Sequence, residues 1–211
     1  MSVLPEGFLR VESELRRLGH AHAPQFLDTA ARTSQEAARA LGVAVGQIAK
    51  SVIFRRRADE VAVLVVTSGD RRVDEKKVAL IVGPIGRADA AFVKAKTGFT
   101  IGGVSPLAHA TPVVTLIDRD LFRFDRVWAA AGHPNGVFPM SPTELERLTG
   151  APVHDVVQVP SPCVDVCRID EATGLCAGCL RTLDEIAAWS TLDDVAKRDV
   201  WAQLPGRGTL A

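Results

Sequence analysis

A chain of 211 residues, 47% hydrophobic and 24% charged, is long enough for one good-sized domain plus a small second one and can bury a sizeable core. The net formal charge is zero but unevenly divided: residues 160–211 carry 8 acidic and 5 basic side chains, leaving 17 and 20 before them. That balance excludes sequence-independent coating of nucleic acid, so no DNA partner is expected, and no apolar run approaches the ~18 residues that span a bilayer, so no membrane partner is expected either.

Residues Glu6 to Leu18 place Phe8, Val11, Leu15 and Leu18 at helical spacing, with Gly19 as the C′ residue. A second helix opens with Thr33 and Glu36 in capping-box spacing and ends at Gly42. Lys50 to Phe54 reads as a strand beginning at the lysine, and Glu60 to Thr67, nearly all aliphatic, as a strand covered on both faces. Asp74 to Val82 and Asp89 to Lys96 read as short helices with acidic N-termini. Pro112 to Ile117, Arg126 to Ala131 and Gly136 to Met140 are strand-like, Ser141-Pro142-Thr143-Glu144 starts a helix ending at Gly150, and Val153 to Val159 is a last strand. Several strands follow one another directly, which predicts an α+β fold. The Pro-rich stretch at 159–162 is a linker between a first domain, 1–158, and a second, 163–211, in which Thr182 with Glu185 and Thr191 with Asp194 start two helices.

Between the helix at 89–96 and the strand at 112–117 lies FTIGGVSPLAH, Phe99 to His109. Adjacent Gly102 and Gly103 suit either a tight turn or a nest of N–H groups that holds an anion or a developing oxyanion. Lys50 admits two readings as well: an edge lysine in water, or a cation at a cleft mouth able to polarise an ester carbonyl.

All four cysteines fall in the second domain: Cys163, Cys167, Cys176 and Cys179, a C-x3-C-x8-C-x2-C pattern. MSVLPEGFLR has neither the basic start nor the apolar stretch of a secretory leader, so the expected location is cytoplasmic. In a reducing compartment the cluster reads as a metal site rather than two disulfides, and four thiolates suit either Zn²⁺ or an iron–sulfur cluster. A piece of about fifty residues has too little core to be comfortable alone, and a metal staple would supply what it lacks.

Other chemistries lack their residues. The first 162 positions contain no cysteine, Ser105 does not sit in a G-x-S-x-G elbow, no H-E-x-x-H occurs, and the five histidines are scattered. The run from Gly42 to Ser51 ends in Lys-Ser but lacks the spacing and the following helix of a phosphate loop.

Four segments in order then resemble the YbaK/ProX family of trans-editing aminoacyl-tRNA deacylases, relatives of the editing domain inserted in bacterial prolyl-tRNA synthetases. They are Thr33 to Gly42 followed by GQIAKSVIF, then RVDEKKVALIVG, FTIGGVSPLAH and VWAAAGHPNGVFPMSPTELERLTG. The resemblance implies a mixed, barrel-like sheet flanked by helices, and hydrolysis of the ester of a mischarged amino acid at the tRNA 3′ end, with no cofactor needed. It implies that Lys50 is essential and that Gly102 and Gly103 supply backbone donors around the aminoacyl carbonyl. Ser51 stands where relatives often have Thr. Val104, Ser105, Pro106, Gly132 and His133 would line the substrate pocket, and a prolyl-tRNA synthetase is an expected partner. Where the Cys-tRNA(Pro) branch carries a serine and an aspartate, an ungapped match gives Ala130 and Val137, and the chain has no tyrosine. SPCVDVCRID and GLCAGCLRTLDEIAAW in turn resemble a short bacterial four-cysteine domain commonly described as an iron–sulfur protein, which implies a metal cluster on the four thiols.

Overall fold

The computed structural model describes residues 4–208, which divide between Val157 and Gln158 into two compact units. In the first, helix α1 (Glu6–Arg17) buries Phe8, Val11 and Leu15, the stripe its periodicity dictates. A short strand β1 (Gln25–Phe26) leads to α2 (Ser34–Leu41), whose capping box is complete: Thr33 Oγ1 accepts from Glu36 N, and Glu36 accepts from Thr33 N. Gly42, at φ 67°, ends it in the left-handed region that suits glycine.

Strands β2 (Ile48–Arg56) and β3 (Ala62–Ser68) pair antiparallel. Next come α3 (Glu75–Val82), β4 (Ile85–Arg87), α4 (Ala90–Thr97) and β5 (Val114–Asp118). A 3₁₀ turn (Arg119–Arg123) precedes β6 (Val127–Ala130), β7 (Gly136–Met140), α5 (Pro142–Thr149) and β8 (Val153–His154). The mixed sheet runs β1-β7-β6-β2-β3-β5-β8, with β4 paired to β2. Its pairings β2·β6, β3·β5 and β5·β8 are parallel and the rest antiparallel. Helices flank it, as the resemblance implies.

β3 shows why its aliphatic run is continuous rather than alternating. Leu64 and Val66 pack with α1, α4 and α5 on one face, whereas Val63 and Val65 pack with Val78 of α3 on the other. A third cluster seats Ala37 and Ala38 of α2 against Ile48 and Trp128.

Several boundaries differ from the sequence expectation. β2 begins at Ile48, so Lys50 is its third residue, paired with Thr67 of β3, rather than a strand start. The last strand is confined to Val153–His154 because the backbone beyond it is spent elsewhere. Val156 N–H donates to the Asp118 carboxylate at 3.5 Å, Val156 C=O accepts from Asp74 N, and Val157 makes an isolated bridge to Val73. Asp118 is fully buried. Burial pushes its carboxyl up to about 6, against the bonds it accepts from Val156 and Thr67.

In the second unit, α6 (Leu183–Ala188) has the expected Thr182–Glu185 capping box. α7 (Asp194–Arg207) is capped not by Thr191 but by Asp193, whose carboxylate accepts from Ala196 N at 2.8 Å. Thr191 Oγ1 instead bonds Ala188 O at the end of α6. Among the described residues no helix is long and apolar enough to cross a membrane.

Candidate active site

The candidate active site sits where the sheet splits. β6 pairs with β2 only at Ile48 and Ala49, and β4 takes up the same edge of β2 only from Phe54 to Arg56. From Lys50 to Ile53 that edge has no strand partner among the described residues. A cavity of about 270 Å³ opens there, lined by Lys50 and Ser51 of β2, Ala130 of β6 and Val137 of β7, with Arg32, Thr33 and Ser34 from the N-terminal turn of α2. Ile101, Gly102 and Val104 form a further wall, and Ala31, Ala37, Ile48 and Trp128 make much of the lining apolar.

Lys50 is half-buried. Its Nζ donates to Gly69 O at 3.4 Å and to Arg71 O. Burial pushes its pKa below that of a free lysine, Asp70 opposes the fall, and Arg72 adds to it. The neighbouring Ser51 Oγ is buried and has no hydrogen-bond partner. A buried hydroxyl without a partner costs stability, so in a ligand cavity it marks a position where a ligand's donor or acceptor completes the set.

The glycine wall divides into two roles. Gly102, at φ 89°, lines the cavity and adopts a backbone that L side chains rarely take. Gly103 does not line it, and its N–H donates to Thr100 O at 3.0 Å, which closes a turn. A Cβ on Gly103 would lie 2.7 to 2.9 Å from the backbone of His133 and Pro134. The expectation of paired donors is therefore corrected: Gly102 is the glycine at the cavity, and Gly103 lets the wall press against the next loop.

Of the other expected pocket residues, Val104 lines the cavity, whereas Ser105, Pro106, Gly132 and His133 do not. Ser105 is fully buried, and its hydroxyl accepts from Leu107 N at 3.2 Å. Gly132, at φ 78°, permits close approach to Gly7, whose oxygen would stand 2.3 Å from an added Cβ. His133 stacks on Phe26 and accepts from Asn135 N through Nδ1. These residues support the wall without reaching the cavity. Arg32, Ile101 and Trp128 are lining residues that sequence reasoning missed. Each lies inside or beside a segment that carries the resemblance, but none belongs to a recognisable spacing.

The family model described as an aminoacyl-tRNA editing domain matches residues 28–148, more than half of the chain. This chain belongs to the aminoacyl-tRNA editing domain family. The editing domain is 33% identical over 142 residues to the uncharacterised protein YwhH of Bacillus subtilis, covering 67% of this chain and 84% of that protein. It is 30% identical over 94 residues to a proline–tRNA ligase of Thermoanaerobacter sp. (strain X514), 43% of this chain but 16% of the ligase. A solved structure described as a candidate trans-editing enzyme for prolyl-tRNA synthetase superposes with a TM-score of 0.69 at 40% identity. That match covers 74% of this chain and all of the other.

Residues 161–208 match a second family, described as a protein of unknown function (DUF1289). Its donors are four free thiols, Cys163 and Cys167 exposed, Cys176 and Cys179 buried. The two cysteine arms meet: a Cβ on Gly178 would stand 2.7 Å from Val166 and 2.9 Å from Val164. The amides of Cys179 and Gly178 donate to the Cys176 sulfur and hold it below the usual thiol range, while Arg181 Nε donates to Cys179 Sγ at 3.3 Å. These donors suit thiolate ligands. Among the described residues no three or more Cys, His, Asp or Glu side chains are drawn together as a metal site, so the fit rests on donor chemistry.

Proposed function

We propose that the first unit is an aminoacyl-tRNA deacylase that hydrolyses the ester joining a mischarged amino acid to the 3′ end of a tRNA, with tRNA(Pro) the first candidate. The observation that carries this reading is a half-buried Lys50 beside the unpartnered Ser51 hydroxyl and Gly102, in a small cavity with no cysteine or histidine in its lining.

In this reading the Lys50 ammonium and the Gly102 amide orient the ester carbonyl and stabilise the oxyanion as a water attacks the carbonyl carbon. The tetrahedral intermediate collapses with cleavage of the bond to the ribose oxygen. The leaving oxygen departs as the ribose hydroxyl with a proton from the attacking water. Ser51 Oγ finds its partner in the bound aminoacyl group. Arg32 lines one side of the cavity, and its guanidinium suits the phosphodiester of a tRNA end. Ala130 and Val137 leave the side-chain end of the cavity apolar. A prolyl-tRNA synthetase, whose product such an enzyme would correct, is the proposed protein partner.

For the second unit we propose that Cys163, Cys167, Cys176 and Cys179 hold one metal centre, either Zn²⁺ or an iron–sulfur cluster. When bound it supplies a cross-link that fixes two arms of a small unit, and deacylation proceeds without it. Two measurements test these readings. The first is deacylation of Ala-, Cys- and Ser-tRNA(Pro) by wild type and Lys50→Ala. The second is the visible spectrum and metal content of anaerobically purified protein. Wild-type hydrolysis of none of the three removes the deacylase reading, and retained activity in Lys50→Ala removes the role given to the lysine. A protein without stoichiometric metal removes the second.

A further inference from the structure

Lys50 depends on a loop that is itself tied down by side chains from another element. The loop is Ser68 to Arg72, between β3 and α3, and its Gly69 and Arg71 carbonyls accept from the Lys50 ammonium. An ammonium has three N–H bonds, so two are committed to the loop and one is left for the cavity. Where that one points is set by the shape of the loop.

Asp70 sits at the centre of the loop. Arg123, at the end of the 3₁₀ turn, donates through Nη2 to both Asp70 oxygens, at 2.6 and 2.7 Å, and to Ser68 Oγ at 3.0 Å. Its Nη1 donates to Asp120, and Arg71 Nε donates to the same Asp120 oxygen. The Ser68 hydroxyl shares its proton between Gly46 O and Asp70 Oδ1. The circuit is packed tightly, since a Cβ on Gly46 would stand 2.8 Å from Arg123 Nη2 and 3.1 Å from Asp70 Oδ2. As surface ion pairs these contacts are worth little to stability. As a closed network on one loop they fix geometry.

The charges facing Lys50 are few. Asp70 attracts the ammonium and Arg72 repels it, both from this loop. Arg32 lines the same cavity from the N-terminal side of α2. Against the opposing pull of burial, Ser68 and Arg123 hold the Asp70 carboxyl below the usual carboxylate range, so Asp70 stays ionised wherever the enzyme works.

We infer that Asp70, clamped by Arg123, is the positioning residue of Lys50: it keeps the lysine ammonium charged inside its half-buried site and keeps the loop in the shape that leaves one N–H for the ester. The inference rests on the reading of the cavity as a deacylase site. Neither Asp70 nor Arg123 touches the reacting atoms, so their loss acts through Lys50 and lowers kcat rather than raising KM.

The test uses the full chain as wild type, Asp70→Asn, Arg123→Ala and Arg123→Lys. The Lys50 ammonium is titrated by competitive acetylation with acetic anhydride, read at that residue by mass spectrometry, and deacylation is followed against pH. Removing the carboxylate should move the Lys50 titration down by about one pH unit. The basic limb of kcat should move with it, so that kcat on that limb falls about tenfold with KM unchanged. Arg123→Ala should reproduce part of that loss, and Arg123→Lys should restore most of it. An unmoved Lys50 titration in Asp70→Asn overturns the inference whatever the activity. A shifted titration in a protein that hydrolyses no mischarged tRNA supports the coupling and removes the deacylase reading instead.

Discussion

In the first unit, β3 carries Ala62 to Val66 with no exposed surface, and three clusters of buried side chains cover the sheet from both faces. In the second, the buried side chains include Cys176, Cys179, Arg181, Val200 and Leu204, while Val164, Val166, Leu183 and Val195 are each more than half exposed. The first unit can hold a half-buried lysine and an unpartnered serine because its packing supplies the free energy that such groups cost. The second has less apolar burial to draw on, which is the physical case for a metal cross-link on its thiols.

The largest expected effect breaks this contrast at its weak side. Replacing Cys176 and Cys179 together by serine, or stripping the metal with a chelator, should abolish hydrogen-exchange protection in the second unit. Structural zinc in small folds contributes on the order of 10 kcal/mol. Protection of β2 and β3 should be unchanged, and protection that survives in both units would contradict the account.

The next effect lies in the strong unit. Folded Asp118 titrates near 6 against 3.8 for a free carboxyl, so its ionisation costs about 3 kcal/mol when buried. Because the folded value is the higher one, this stability is fully present below pH 3.8 and is lost as pH rises through 6. Asp118→Asn should therefore raise stability at pH 8, measured by urea denaturation, and flatten the dependence between pH 4 and 6.

Gly103→Val should cost about 2 kcal/mol, because the side chain enters the backbone of His133 and Pro134. Gly102→Ala should cost about 1 kcal/mol for its left-handed backbone, with a larger loss of activity than of stability. Equal activity losses at matched stability would merge the roles that separate these two glycines. The smallest effect is Arg207→Ala in the second unit. It removes the paired bonds to Glu185, at 2.6 and 2.8 Å, and should cost about 1 kcal/mol or less.

The sequence made some features legible and left others hidden for identifiable reasons. The Thr33–Glu36 box, the Asp89 cap and the Ser141-Pro142 start could be read locally because a cap is a contact between residues three positions apart. β1 and β4 could not, since two or three residues carry no period and form only where a partner strand waits. Lys50 stood out as a lysine in an apolar strand, but its partners lie 19 and 21 positions away on a loop. The Gly-Gly pair was visible, whereas the division of labour within it depends on His133 and Pro134, which sequence alone does not bring near. Arg123 lay in no motif, because its role comes from a turn folding back on Asp70 across 53 positions.

The central claim is that a preorganised lysine, with no protein nucleophile, drives ester hydrolysis in the sheet-split cavity. The direct measurement is the single-turnover rate of deacylation of a mischarged tRNA by Lys50→Ala relative to wild type, with the thermal unfolding of both proteins recorded. The account predicts a rate lower by roughly 10²–10³ with the unfolding midpoint preserved. A Lys50→Ala protein that is folded and hydrolyses the ester at the wild-type rate would contradict it.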